Sequence, residues 1–269
     1  PVIIVPTTSS TTPPPGCGAC RAWPDFDGNG TVDRSVFRPE FGGWYVEGAA
    51  TEVLGLAGDV PVPADYDGDG STERAVFRDG AWYIEGMATQ FLGAAGDVPV
   101  PGDYDGDGAV EVAVYRDGAW FVDGQATQVL GSPGDIPVPG DYDGDGSTDI
   151  AVYRPSVGGW YIDGQAPTFF GLSTDVPVPG DYDGDGATNR AVYRPEFGGW
   201  YVDGLPTVFV GLSTDVPVAG DYDGDGATDR AVYRPELGGW YVDGLPTVFL
   251  GRSADVPLPI PAAIYNTLS

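Results

Sequence analysis

From residue 25 onward the apolar positions of the chain come in short runs, each closed by Gly, Pro or Asp. One stretch shows the whole pattern: Asp215 to Tyr222, Arg230 to Arg234, Gly239 to Asp243 and Thr247 to Gly251. β-Branched and aromatic residues fill these runs, which predicts four short strands. Runs such as Ala231, Val232, Tyr233 are apolar on both faces, as expected of fully buried strands. No segment free of Gly and Pro exceeds nine residues, the longest being Ser71 to Asp79 and Ala109 to Asp117. Ordinary helices are therefore excluded, because Gly and Pro interrupt every candidate. A transmembrane helix, which needs about 20 apolar residues, is excluded as well.

The pattern repeats. The string Asp-aromatic-Asp-Gly-Asp/Asn-Gly begins at Asp25, Asp65, Asp103, Asp141, Asp181 and Asp221, at spacings of 40, 38, 38, 40 and 40 residues. Residues 181–210 and 221–250 differ only at Asn189/Asp229, Phe197/Leu237 and Val210/Leu250, which marks tandem duplication. Four strands in about 40 residues is the proportion of a propeller blade, with a linear solenoid as the alternative. The two-residue difference lies between the second and third strands. Asp79-Gly80 and Asp117-Gly118 make a tight hairpin in the shorter units, against turns such as Pro195 to Gly199 in the longer ones. The first-strand motif occurs after Asp59, Asp97, Asp135, Asp175, Asp215 and Asp255, and Ala22 to Phe26 precedes the first loop. Seven candidates thus compete for six inner positions, so closing the ring leaves one strand spare or pairs it as an extra edge.

The loop between the first two strands carries the chemistry. From Asp65, oxygen-bearing residues follow at positions 3, 5 and 9 (Asp67, Asp69, Glu73), with Gly70 at position 6. This is the start of an EF-hand loop, and it wraps hard oxygen ligands around one point as Ca²⁺ requires. Val76 stands where the EF-hand has its Glu at position 12, so the ninth residue closes the shell and the chain continues into a strand. The equivalent sets are Asp25, Asp27, Asn29, Asp33; Asp103, Asp105, Asp107, Glu111; Asp141, Asp143, Asp145, Asp149; Asp181, Asp183, Asp185, Asn189; and Asp221, Asp223, Asp225, Asp229. Carboxylates crowded within nine residues repel one another unless a cation sits among them. Mg²⁺ fits less well because it keeps its waters. About six Ca²⁺ are expected.

Composition narrows the function. The 269 residues include 40 acids, 12 bases and no His, for a formal charge of −28. All the bases are Arg. Such a chain is a poor partner for nucleic acid or an anionic membrane. Without His or Lys it lacks the parts of a Ser-His-Asp triad, a Schiff base or a phosphate-loop lysine. Only paired carboxylates remain for catalysis, and an enzyme is not expected. Cys17 and Cys20 are too few for zinc and read as a small local disulfide.

The motif D-x-D-G-D-G-x-x-D, followed by R-A-V-Y-R and G-G-W-Y, resembles the FG-GAP/VCBS class of calcium-binding propeller repeats, relatives of which occur in integrin α-chain propellers and a fungal propeller lectin. The resemblance spans about residues 20 to 260. It implies calcium at the positions named and an extracellular setting, but no particular ligand. The chain departs from integrins in its short units and in having a metal loop in every blade.

Three further recurrences need a reading. Arg38, Arg78, Arg116, Arg154, Arg194 and Arg234 stand thirteen positions after each first Asp, and Glu47, Glu85, Asp123, Asp163, Asp203 and Asp243 follow each Trp-aromatic pair. Either set could ring a ligand, but strict repetition favours Arg–carboxylate pairs between strands or blades. Trp44, Trp82, Trp120, Trp160, Trp200 and Trp240 lie mid-strand beside another aromatic, which favours core over sugar stacking. At the N-terminus, Val2, Ile3, Ile4 and Val5 form a β-branched tetrad before a Ser/Thr/Pro linker, Thr7 to Pro15. They are the candidate for strand addition to an open sheet edge of another copy. The chain opens without Met, as a processed protein or a fragment would.

The sequence thus predicts an all-β, six-bladed β-propeller of four-stranded blades over residues 20–269, with an extended N-terminal arm over residues 1–19. The expected function is non-enzymatic: an extracellular, calcium-stabilised surface, adhesion or fibre-building module. Its expected partners are itself, through the arm, or a surface glycan or protein. A carbohydrate-binding lectin is the alternative, and an accessory domain of a secreted hydrolase a further one.

Overall fold

The computed structural model describes residues 24–259. Blade one contains β1 (Ser35–Arg38), β2 (Gly43–Val46) and β3 (Glu52–Val53). Blade two follows as β4 (Val60–Pro61), β5 (Ala75–Arg78), β6 (Ala81–Ile84) and β7 (Gln90–Phe91), and blade three as β8 (Val98–Pro99), β9 (Ala113–Arg116), β10 (Ala119–Val122) and β11 (Gln128–Val129). Blade four is β12 (Ile136–Pro137), β13 (Ala151–Arg154), β14 (Gly159–Ile162) and β15 (Thr168–Phe169). Blade five is β16 (Val176–Pro177), β17 (Ala191–Arg194), β18 (Gly199–Val202) and β19 (Val208–Phe209). Blade six is β20 (Val216–Pro217), β21 (Ala231–Arg234), β22 (Gly239–Val242) and β23 (Val248–Phe249), after which β24 (Val256–Leu258) ends the described chain. The strands form six antiparallel four-stranded sheets, a six-bladed β-propeller without helices among the described residues.

The last strand resolves the count of first-strand candidates. β24 pairs antiparallel with β1, Ser35 opposite Leu258 and Phe37 opposite Val256, so the first blade takes its inner strand from the far end of the chain. Pro24 to Phe26 form no strand, and Ala22 and Trp23 lie outside the described residues. Neither a spare strand nor an open inner edge is left among the described residues, so the edge expected to accept the N-terminal tetrad is already occupied. Val2, Ile3, Ile4 and Val5, the linker, and Cys17 and Cys20 all lie outside the described residues.

Each blade is built alike. The second-strand aromatic stands opposite the third-strand Trp, as in Tyr153 and Trp160, with ring centroids 5.2 Å apart. All six third-strand Trp are fully buried, and each donates its indole N–H at 2.8–3.0 Å to a main-chain carbonyl just past the fourth strand. The Trp residues are thus core, and the polar tip that a buried indole must satisfy fastens the outer strand. In the shorter blades Asp79 and Asp117 adopt φ of 51° and 49°, followed by Gly80 and Gly118 at 89° and 95°. Positive φ at both central residues is the geometry the Asp-Gly pair predicts for a two-residue hairpin.

Closure by β24 has a direct test. Val256 and Leu258 are buried against Phe37 and Trp44, and burying the two side chains is worth about 3–6 kcal/mol. Truncation before Val256 should lower the melting temperature sharply and expose β1 to aggregation, read by thermal melting with light scattering. An unchanged melt would show that the ring does not depend on this strand.

Candidate metal centre

Strand direction places two chemistries on opposite faces. The acidic loops lead into the start of each second strand, and the exposed acids Glu47, Glu85, Asp123, Asp163, Asp203 and Asp243 follow the end of each third strand on the same side. The second strands end on Arg at the opposite face, where the turns into the third strands lie.

The loops are shaped by their own hydrogen bonds. In the second, Asp65 accepts the N–H of Gly68 on Oδ1 and that of Gly70 on Oδ2, while Glu73 accepts the N–H of Tyr66. Gly68 and Gly70 have φ of 73° and 96°, the left-handed values that let the chain curl around position 1. The N–H of position 2 meets the side chain of position 9 in all six loops, with Asp33, Glu111, Asp149, Asn189 and Asp229 as the other acceptors. Side-chain oxygens therefore converge. Those of Asp103, Asp105, Asp107 and Glu111 lie within 4.8 Å of one another, as do those of Asp25, Asp27, Asp33; Asp65, Asp67, Glu73; Asp141, Asp143, Asp149; and Asp181, Asp183, Asp185.

Position 5 varies, and position 7 explains why. Asp69 and Asp145 stand outside the converging sets; each accepts both the N–H and the hydroxyl of a serine, Ser71 or Ser147. Those bonds hold both carboxyls below their ordinary range. Asn29 is held likewise by Thr31. Where position 7 is Ala109 or Ala187, no hydroxyl competes, and Asp107 and Asp185 join their sets.

Electrostatics favour a cation. Burial pushes Glu73 and Glu111 up to about 7, and the neighbouring aspartates of their loops push in the same direction. Asp149 and Asp229 rise to about 6 for the same two reasons. Asp25, Asp103, Asp181 and Asp221 are also raised, by burial first. The donor set is all oxygen, at the separations a six-to-eight-coordinate hard cation spans, so these residues fit calcium.

Each loop is also a joint. The carbonyl of its first Asp accepts the N–H of position 8 in the next blade's loop: Thr72 to Asp25, Val110 to Asp65, Thr148 to Asp103, Thr188 to Asp141, Thr228 to Asp181 and Val32 to Asp221, all at 2.5–2.8 Å. The sixth bond returns to the first blade, making a closed belt. Position 10 supports it. Arg34, Arg74 and Arg230 place their guanidiniums over the position-2 ring of the preceding loop, Tyr222, Phe26 and Tyr182, at 5.3–5.4 Å. Val112 and Ile150 are buried at the equivalent positions of blades three and four.

The six recurrent arginines do pair with carboxylates, but not with the acids that follow the Trp-aromatic pairs. Arg78, Arg116, Arg154, Arg194, Arg234 and Arg38 grip Asp59, Asp97, Asp135, Asp175, Asp215 and Asp255 through Nε and Nη2. These aspartates also accept the N–H three residues before them, as Asp175 does from Leu172. Their regular recurrence before each first strand was the signal for this role. Of the acids after the Trp-aromatic pairs, Glu47 and Glu85 pair with Arg34 and Arg74, and all six are exposed.

No protein-family model and no curated protein matches the chain. Among solved structures, one concerned with recognition of non-reducing terminal N-acetylglucosamine by an Agrocybe aegerita lectin aligns with a TM-score of 0.54 at 14% identity, over 86% of this chain and 76% of that one. BBS1N, in complex with ARL6DN, aligns with a TM-score of 0.41 at 12% identity, over 71% of this chain and 66% of its own. At such identities the lectin shares the fold and nothing further is shown.

The raised carboxyls set a pH dependence with a definite sign. Between the ordinary values of 4.5 for Glu and 3.8 for Asp and the raised values of about 7 and 6, the folded chain binds more protons than the unfolded one. Stability of the cation-free protein should therefore fall as pH rises from about 4 to about 7. Denaturant melts across that range, in chelator and then in calcium, should show the slope and its loss. A cation-free stability that rises with pH would contradict this.

Proposed function

We propose that this chain is a non-enzymatic, extracellular, calcium-stabilised propeller that serves as a surface recognition or adhesion module. One observation carries the reading: convergent acidic loops form the joints between blades, so the charges that a cation would neutralise sit where the ring is held together. Without a counter-ion, the mutual repulsion of the loop carboxylates opposes the belt. Calcium-binding modules that work outside cells operate at about 10⁻⁴–10⁻³ M, which suits short loops lacking the bidentate Glu of an EF-hand. The resemblance to FG-GAP/VCBS repeats supports the same reading. The face opposite the loops supplies a surface for contact, with Phe91, Phe169, Phe209 and Phe249 exposed on outer strands. A fibre-building role through Val2 to Val5 would need an outer strand as acceptor, because β24 closes the inner edge.

At free calcium a hundredfold above the dissociation constant, each site adds about 2.7 kcal/mol. Excess EGTA should lower the melting temperature substantially, with recovery on calcium but not magnesium. Unchanged melting in EGTA would refute the reading.

Carbohydrate binding is the second reading. The aromatics it requires on one rim are present, as the fourth-strand phenylalanines rather than the buried tryptophans. The lectin of shared fold is described as recognising terminal N-acetylglucosamine, which supports the idea without assigning a sugar here. A glycan array probed with the calcium-loaded protein should show saturable binding, and a blank array would remove this reading.

A further inference from the structure

On the face away from the loops, blades four, five and six repeat a cluster whose tyrosine packs against the core while its phenylalanine is left exposed. In blade four, Arg154, Gly159 and Phe169 stand opposite one another on β13, β14 and β15, so they share one side of the sheet. Gly159 leaves the middle of this row without a side chain. Tyr161, Val157 and Phe169 fill the space, with Cε2 of the tyrosine 2.9 Å, Cγ2 of the valine 3.2 Å and Cε1 of the phenylalanine 3.4 Å from where a Cβ would be. Phe169 is nonetheless 66% exposed, so one part of its ring rests on main chain while the rest meets solvent. Phe209 and Phe249 are placed the same way, at 65% and 67%.

The arginine beside this plate is immobilised. Its Nε and Nη2 are held by Asp135 at 2.8 and 2.7 Å, and its Cζ lies 4.4 Å from the centroid of Tyr161. The phenol of Tyr161 is a further side-chain partner of the guanidinium, so arginine and tyrosine form one fixed polar edge next to the exposed ring. Arg194 on Asp175 and Arg234 on Asp215 repeat the arrangement over Tyr201 and Tyr241 at 4.3 Å.

We propose that these three clusters, Arg154–Tyr161–Phe169, Arg194–Tyr201–Phe209 and Arg234–Tyr241–Phe249, are shallow binding sites for an uncharged pyranose sugar. The proposal rests on the carbohydrate reading above and assigns its residues. Charge selects the ligand class. Each guanidinium is already neutralised by a buried aspartate, the adjoining turns of blades five and six add Glu196 and Glu236, and the chain as a whole carries −28, so an anion is repelled. An uncharged sugar ring matches what remains, its C–H face on the phenylalanine and its hydroxyls toward the polar edge that guanidinium and phenol share. Each site is small, and repetition around the ring suits a ligand presented in many copies, where linked weak contacts add to avidity. Blade three is a natural blank, with Ala119 for the glycine, Phe121 for the tyrosine and Val129 for the phenylalanine.

The test uses the calcium-loaded full chain on immobilised uncharged oligosaccharides, with sialylated and sulfated counterparts beside them. The triple variant Phe169→Ser, Phe209→Ser, Phe249→Ser should lose at least tenfold in avidity with an unchanged melting temperature, because all three side chains are exposed. Val129→Ser should change nothing, and Ala119→Gly with Phe121→Tyr and Val129→Phe should raise avidity by installing a fourth site. Retained binding in the triple variant would overturn the assignment while leaving the carbohydrate reading in place. Binding confined to charged glycans would overturn the choice of ligand. No glycan binding by the unaltered chain would remove the carbohydrate reading and this proposal together.

Discussion

One main-chain hydrogen bond, repeated six times, connects everything else in this molecule. It runs from position 8 of each acidic loop to the carbonyl of the first Asp in the preceding loop, and the last of the six returns from Val32 to Asp221. The Asp whose carbonyl makes the joint also offers its carboxylate to the loop interior, where it accepts two glycine N–H groups. Blade packing and loop charge therefore meet in a single residue. The loop can curl there only because positions 4 and 6 are glycines with positive φ. The high glycine content of the chain, which by composition alone borders on disorder, is in large part this turn geometry repeated.

The opposite face follows another rule. There the second-strand arginines are spent on buried aspartates that also cap the turns leading into the first strands. A buried ion pair of this kind contributes little net stability but is costly to break, so it specifies geometry more than it adds free energy. With its charge cancelled and its plane fixed over a tyrosine, the guanidinium becomes part of a weakly polar surface rather than a cationic patch. The molecule thus separates a face of convergent acidic loops from one of exposed aromatic rings and neutralised arginines.

Much of this was legible in the chain. The four strands of each blade, the Asp79-Gly80 and Asp117-Gly118 hairpins and the core role of the tryptophans follow from local pattern, and local pattern repeated six times is hard to misread. What failed depends on contacts distant in sequence. Ala22 to Phe26 looked as able as Val256 to Leu258 to fill the first blade, because both resemble first strands. The distinguishing sign was the Asp that precedes every other first strand nineteen residues before its Arg; only Asp255 supplies that partner to Arg38, from 217 residues away. The diversion of Asp69 by Ser71 was likewise written in the sequence, but it becomes interpretable only once the loop geometry shows the serine hydroxyl competing for that carboxylate. The belt itself has no sequence signature, since a main-chain donor can be any residue: Thr serves at four joints and Val at two.

The central claim is that neutralising the loops tightens the joints between blades. Amide hydrogen exchange reads those joints one by one, at the N–H groups of Val32, Thr72, Val110, Thr148, Thr188 and Thr228. On addition of calcium to the chelated protein all six should gain protection together, while amides of the fully buried second strands change little. If calcium leaves the exchange of these six amides unchanged, the loops do not act as cation-dependent joints and the account is wrong.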